Sequence, residues 1–272
     1  MIEFQVSQSL KTQNMSVVDN YNHPDKKIIY VKECVRGWGI DPEEMNNYYL
    51  TRCSCPSTSV GTCNAGSFCI CVDQFKPNYK DGRLVEEKMF GNLIVFECGW
   101  NTCECAPSCN NFLVQKGPCK TLEIVDVRNK GKGVITKASL EAGTFVCEYT
   151  GELIGYQEAE DRLASKDKNN YILTLREHCE DCIIDTCVDA RLFGNIGRYL
   201  NHSCDPNCIL VPVRTGNTIP RICIFAKRNI RKGEELTYHY NSQSENLSST
   251  RCYCRSKKCA GFLPSSSGLD LR

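Results

Sequence analysis

Residues 198–208 read RYLNHSCDPNC, which sets Asn201, His202 and Cys204 almost side by side. Three chemistries fit so short a stretch: a metal loop, a nucleophilic thiol, or a glycosylated Asn-His-Ser. The rest of the chain decides among them. It has 272 residues, a net charge of +1, 41% hydrophobic and 24% charged residues. That is enough for one large core or two modest ones and is ordinary for a globular protein. So balanced a charge implies no general pull toward nucleic acid or a membrane surface. No apolar run reaches the roughly 18 residues of a bilayer span. The opening MIEFQVSQSLKTQNMS lacks the basic-then-apolar pattern of a secretory signal.

The 21 cysteines are the anomaly. In a secreted chain they would imply disulfides, with one thiol left over, and the sequons at Asn14, Asn201 and Asn246 would matter. Without a signal pattern, the expectation is a reducing compartment in which dense cysteines serve as metal ligands. Their distribution is uneven: a Cys-rich front from Cys34 to Cys119, a more ordinary middle, and a short tail from Cys252 to Cys259. Residues 1–25 are polar and aperiodic, which predicts partial disorder or a surface wrap.

The middle reads as mostly β. LEIVDV (122–127), TFVCEYTG (144–151), NYILTL (170–175), CIIDTCVDA (182–190), CILVPVR (208–214) and RICIFAKR (221–228) are short runs rich in β-branched or aromatic residues. NKGKG, EAG, RTGN and RKGEE read as turns between them. YQEAEDRLASK (156–166) is the one good helix candidate. Helices and strands do not alternate, which argues against a doubly wound nucleotide fold.

Nine cysteines stand between residues 53 and 109: Cys53, Cys55, Cys63, Cys69, Cys71, Cys98, Cys103, Cys105 and Cys109. Three Cys-x-Cys pairs among them each bring two thiolates close together. Zinc takes four ligands at about 2.3 Å. If three sulfurs bridge and six are terminal, nine cysteines saturate three zincs; the alternative is two separate sites and a spare thiol. Either arrangement stabilises a segment with little apolar core. CYCRSKKC (252–259) supplies Cys252, Cys254 and Cys259, with Cys204 as a candidate fourth ligand. The other reading of the tail is a surface loop with three free thiols.

Taken together, these stretches resemble a known family. RYLNHSCDPNC and EELTYHY (234–240) look like the two signatures of SET-domain lysine methyltransferases. VCEYTGE (146–152) and GNIGRYLNHSC (194–204) also match, the nine cysteines resemble the pre-SET module, and CYCRSKKC resembles the post-SET module. The likeness runs over about residues 30–265, and the order of the motifs points to the suppressor-of-variegation class. It implies a mainly β fold, a SET-domain pseudoknot flanked by zinc-binding pre-SET and post-SET modules. The implied division is 1–50 an N-terminal wrap, partly disordered; 51–117 the pre-SET zinc cluster; 118–241 the SET catalytic domain; 242–272 the post-SET zinc segment and tail.

The resemblance further implies S-adenosyl-L-methionine and about four zinc ions as cofactors, three in front and one in the tail. It implies a histone H3 tail as substrate, with lysine 9 favoured and lysine 36 second, and mainly mono- and dimethylation. Chromatin, the nucleus and the chromosome are the implied setting, with no membrane and no sequence-specific DNA partner indicated. By the same likeness Gly131, Lys132, Gly133, Tyr171, Arg198, Asn201 and His202 fall at cofactor positions. Tyr240 falls at the catalytic tyrosine, Tyr171 lines the lysine channel, and Tyr238 limits the number of methyl groups. Without the motifs, either channel tyrosine reads as β-core packing. Two departures stand out: Lys132 replaces a tryptophan between glycines, and His239 replaces an aspartate between the tyrosines.

REHCEDCIIDTCVDAR (176–191) is an acidic strip that suits a basic peptide adding as an extended strand, although a charge run is more often a solvated face. Cys179, Cys182 and Cys187 within it read as free thiols rather than an extra zinc site. Two rival functions remain: a catalytically silent SET-fold zinc protein that binds histone or chromatin, and a zinc-rich nucleic-acid binder. The second needs a basic stripe with interleaved aromatics, which a charge of +1 disfavours.

Overall fold

The computed structural model describes residues 23–46, 63, 77–91, 94–99, 103, 109–165, 171–241 and 247–271. Cys53, Cys55, Cys69, Cys71 and Cys105, and the polar stretch before residue 23, lie outside the described residues.

The described residues form nineteen short strands. The first five are β1 (Ile29–Tyr30), β2 (Val35–Arg36), β3 (Tyr79–Lys80), β4 (Arg83–Leu84) and β5 (Val95–Phe96). The middle supplies β6 (Leu122–Val127), β7 (Gly131–Thr136), β8 (Phe145–Glu148), β9 (Glu152–Ile154), β10 (Ile172–His178) and β11 (Ile183–Asp189). Then follow β12 (Phe193–Gly194), β13 (Asn201–His202), β14 (Cys208–Arg214), β15 (Arg221–Ala226) and β16 (Glu235–Tyr238). The tail adds β17 (Leu247–Arg251), β18 (Phe262–Pro264) and β19 (Ser267–Leu271). The expected helix runs Tyr156–Ala164.

Three sheets carry the molecule, in the orders β19-β10-β11-β9-β2, β13-β16-β7-β6 and β5-β14-β15-β8. All six strands expected from sequence are present. NKGKG is not one turn, however: Arg128–Lys130 turn, and β7 begins at Gly131. Asn129 and Gly131 take positive φ, 66° and 78°, so a tight reversal delivers the second glycine straight into a ladder with β6. RKGEE does turn, at Gly233 with φ 83°, a conformation that favours glycine.

The main core joins the sheets through residues such as Leu122, Val134, Leu173, Leu175, Ile196, Leu200, Ile224 and Leu236, all essentially inaccessible. A satellite of Val95, Phe145, Val213 and Phe225 seats the front segment on β14 and β15. Burial of side chains this large supplies roughly 1.5–3 kcal/mol each.

Two long-range pairings set the site. β13 pairs in parallel with β16, Asn201 opposite Thr237 and His202 opposite Tyr238, although the β14–β15 hairpin lies between them in sequence. The two signature stretches are thereby laid side by side, in the pseudoknot arrangement of the SET fold. The N-terminal segment meets the same region from outside: β1 pairs with β12 and β2 with β9, both in parallel.

Candidate active site

A cleft of about 910 Å³ opens where β7, β10, β13, β16 and the tail meet. Gly131, Lys132, Tyr171, Arg198, Asn201, His202 and Tyr240 all line it. They come from four places in the sequence, so only the fold brings them together.

Arg198 is the hinge of one wall. It is buried, its Nε donates to the Ala190 carbonyl at 3.0 Å, and its guanidinium lies 4.4 Å from the centre of the Tyr171 ring. The Tyr199 ring stands 5.0 Å away. Cation–π contact in a partly desolvated site holds the Tyr171 ring in place. The Tyr171 carbonyl accepts from the Tyr149 hydroxyl at 2.7 Å.

The opposite wall is the β7 turn. Asn201 Nδ2 donates to the Lys132 carbonyl at 2.9 Å and lies 3.1 Å from Glu235 Oε1. Gly133 stands one step behind the cleft lining: a Cβ there would lie 2.6 Å from Val127 and 2.9 Å from Asn201 Nδ2. Its role is to let Asn201 approach the turn. At Gly131 a Cβ would meet nothing within 4 Å, so the backbone faces open space. Lys132 Nζ pairs with Asp126 at 2.8 Å. The change from tryptophan therefore leaves the backbone at the cleft and removes only a ring.

Tyr240 sits at the floor. Its amide donates to His202 Nδ1 at 3.2 Å and its hydroxyl to the Leu200 carbonyl at 3.3 Å. Burial, followed by the neighbouring Tyr171, pushes its ionisation well above the ordinary phenol range. Tyr238 does not reach the cleft lining; it is 3% exposed, with its ring centre 5.1 Å from that of Tyr240. His202 is held neutral by burial, with His239 and Lys130 adding to the effect, at about 4. Because Nδ1 accepts, Nε2 carries the proton and faces Cys204 Sγ at 3.2 Å. His239 stacks edge-on against His202 at 4.6 Å between ring centres, and burial lowers its basicity too.

The cysteines gather in two groups. Cys204, Cys252, Cys254 and Cys259 have sulfurs all within 4.8 Å of one another, as do Cys63, Cys98, Cys103 and Cys109. Cys204 and Cys252 Sγ are 3.9 Å apart. A tetrahedral zinc with 2.3 Å bonds separates its sulfurs by about 3.8 Å, so these residues fit the ion. Backbone amides of Ala260 and Gly261 point at Cys204 and Cys259 Sγ at 3.4 Å. Burial pushes the Cys254 thiol up, but bonds from backbone amides and Ser256 outweigh it and hold it at about 6, ready to ligate. In the front group the Asn111 amide faces Cys109 Sγ at 3.3 Å. Four described sulfurs make one zinc's worth.

The acidic strip is largely occupied. Asp185 pairs with Arg176 at 2.8 Å, buried Glu177 with Arg214 at 2.7 Å, and buried Asp189 with both Arg162 and Arg191 at 2.8 Å. Only Glu180 and Asp181 remain exposed, at the hairpin tip beside the exposed thiols of Cys179 and Cys182. Cys187 is buried, 3.5 Å from Thr174 Oγ1. Sequence reasoning also missed part of the cleft. Pro24 and Asp25 enter from the N-terminal segment, and Ser248, Arg251, Tyr253 and Ser267 from the tail. Tyr253 lies within CYCRSKKC but is not one of its cysteines; the others belong to no quoted motif, and only the fold brings them to the cleft.

Comparison with known proteins places this geometry. The SET-domain family model matches residues 131–241. A probable histone-lysine N-methyltransferase, set-23 of Caenorhabditis briggsae, is 40% identical over 238 residues, covering 85% of this chain and 94% of that protein. Among solved structures, the methyltransferase domain of human SETMAR, a histone-lysine N-methyltransferase, superimposes with a TM-score of 0.76 at 31% identity, covering 94% of this chain and 100% of that one. KRYPTONITE in complex with mCHH DNA, an H3(1-15) peptide and SAH gives 0.62 at 28% identity, covering 91% and 50%. The chain belongs to the family of SET-domain histone-lysine N-methyltransferases.

Proposed function

We propose that this chain transfers methyl groups from S-adenosyl-L-methionine to a lysine of the histone H3 tail, lysine 9 before lysine 36, in chromatin of the nucleus. The observation that carries the reading is the gathering of Tyr171, Arg198, Asn201, His202 and Tyr240 on one cleft. The cofactor supplies an electrophilic methyl, so the chain needs no nucleophile of its own. Its task is to fix the amine in line, keep it neutral and exclude water. The β7 turn, with its backbone open at Gly131 and braced by Asn201, would hold the cofactor, and Arg198 would steady Tyr171 between the two reactants. The KRYPTONITE structure, solved with both an H3(1-15) peptide and SAH, supports the pairing of histone tail and cofactor.

The same reading assigns residues 51–117 to a pre-SET zinc module, 118–241 to catalysis, and 242–272 to a post-SET segment closing the site. It expects about four zinc ions per chain, three shared by the nine front cysteines and one on Cys204 with the tail. Elemental analysis of purified protein checks this; about two or fewer would count against a shared cluster.

Tyr238 gives the product expectation. A tyrosine hydroxyl beside the channel can hold a water where a third methyl would go, and displacing it leaves a buried hydroxyl poorly paired at about 1–3 kcal/mol. At about 1.4 kcal/mol per tenfold, that stops the reaction at one or two methyl groups. Tyr238→Phe is expected to shift products toward trimethyl-lysine by mass spectrometry over a long time course. Abundant trimethylation by the unaltered enzyme, or no shift in the variant, removes Tyr238 as the switch.

The rival reading, a silent SET-fold protein that only binds histone, draws on Lys132 and His239. The pairing of Lys132 with Asp126 weakens it, since the backbone at the cleft is retained and braced by Asn201. A peptide-array assay with labelled donor separates the two: binding without label would favour the silent protein.

A further inference from the structure

The outer edge of β10 is taken by the chain itself. β19 lies along it in parallel, Leu173 opposite Ser267, Thr174 opposite Gly268, Leu175 opposite Leu269, Arg176 opposite Asp270 and Glu177 opposite Leu271. On its other side Gly268 donates its amide to the Tyr240 carbonyl at 2.7 Å. The strand thus fills a slot between β10 and the residue at the floor of the cleft. Ser265 and Ser267 line that cleft beside Tyr171 and Tyr240. Leu269 and Leu271 rest on the main core, and Asp270 pairs with His178 at 2.9 Å.

Without β19, β10 would be the edge of its sheet, presenting unpaired amides and carbonyls beside the cleft. This edge suits an extended peptide that reaches Tyr171 and Tyr240 with a lysine, since strand addition supplies backbone bonds whatever the sequence. β19 is poorly anchored by comparison with β10. Every residue in it is only half-buried, and it contains a glycine. Short edge elements of this kind open at free energies well below global unfolding.

We propose that Ser267–Leu271 is a self-inhibitory strand that occupies the slot of an extended, lysine-bearing peptide substrate and is displaced when that substrate binds. This rests on the methyltransferase reading for the identity of the substrate, but not for the displacement. Where a competent state is populated only one-tenth of the time, apparent affinity falls about tenfold. Weakening the strand must therefore raise peptide affinity.

Gly268→Pro is the direct test. It removes the amide that bonds Tyr240, and any Cβ at 268 lies 2.6 Å from the Thr174 carbonyl oxygen. Asp270→Arg is the milder second variant, setting a cation against Arg176 and His178. The parent chain and both variants are compared by methyl transfer to a histone H3 tail peptide and by fluorescence anisotropy of the same peptide, labelled, without donor. The expected result is KM and Kd lower by about tenfold in Gly268→Pro and by less in Asp270→Arg, with kcat little changed. Unchanged or weaker peptide binding in a variant whose circular dichroism matches the parent overturns the proposal. If no protein transfers a methyl yet the variants bind peptide more tightly, the strand proposal stands and the catalytic reading falls.

Discussion

Tyr240→Phe is expected to lower kcat by about 10² or more, the cost of losing a group that positions the amine, with little loss of fold. The change removes one oxygen and almost no volume. The bond lost from the folded state is a single 3.3 Å contact to the Leu200 carbonyl, about 1 kcal/mol. The chemical loss is larger because of what the hydroxyl is. Burial keeps it protonated far beyond neutral pH, so it is no phenolate base. On the proposed function it would act as a neutral dipole that orients the amine lone pair along the line of transfer, and misplacement by about 1 Å costs about 10² in rate. Single-turnover kinetics with saturating peptide reads the effect without product release. A variant at the parent rate would take Tyr240 out of the mechanism.

Legibility in the sequence followed the locality of the signal. β14 and β15 coincide with CILVPVR and the start of RICIFAKR because their own β-branched residues suffice to mark them. β7 was hidden by its glycines, which look like a turn until β6 supplies a ladder. β19, SGLDL, has no strand character of its own and exists only because β10 offers an edge. β1 and β2 are two residues each and equally borrowed. The site divides the same way. Residues within the signatures were found, since RYLNHSC and EELTYHY are contiguous. The neutralisation of the acidic strip was not, because Glu177 meets an arginine 37 positions away.

Cys204→Ser is expected to release one zinc per chain and to lower activity by about 10² or more. Serine keeps the shape but offers a poor ligand, leaving Cys252, Cys254 and Cys259 as an incomplete set. Around these cysteines little else holds the segment: Leu247, Tyr253 and Phe262 are all more than two-fifths exposed. With zinc bound there, metal binding would supply most of that segment's folding free energy, which in small zinc modules is about 10–16 kcal/mol. Loss of the ion frees Ser248, Arg251 and Tyr253 from the cleft wall, so the cofactor binds more weakly and water enters. A second path runs through His202, whose Nε2 faces Cys204 Sγ while its Nδ1 holds the Tyr240 amide. Removing the thiolate loosens the histidine and with it the tyrosine, so kcat should fall as well as KM rise. The SET core, built from β6–β16 with its own apolar interior, should unfold at nearly the parent temperature. Zinc content, cofactor affinity and the melting curve of one preparation decide the matter. A variant with its full zinc and full activity would show that Cys204 neither completes the tail site nor transmits it to Tyr240.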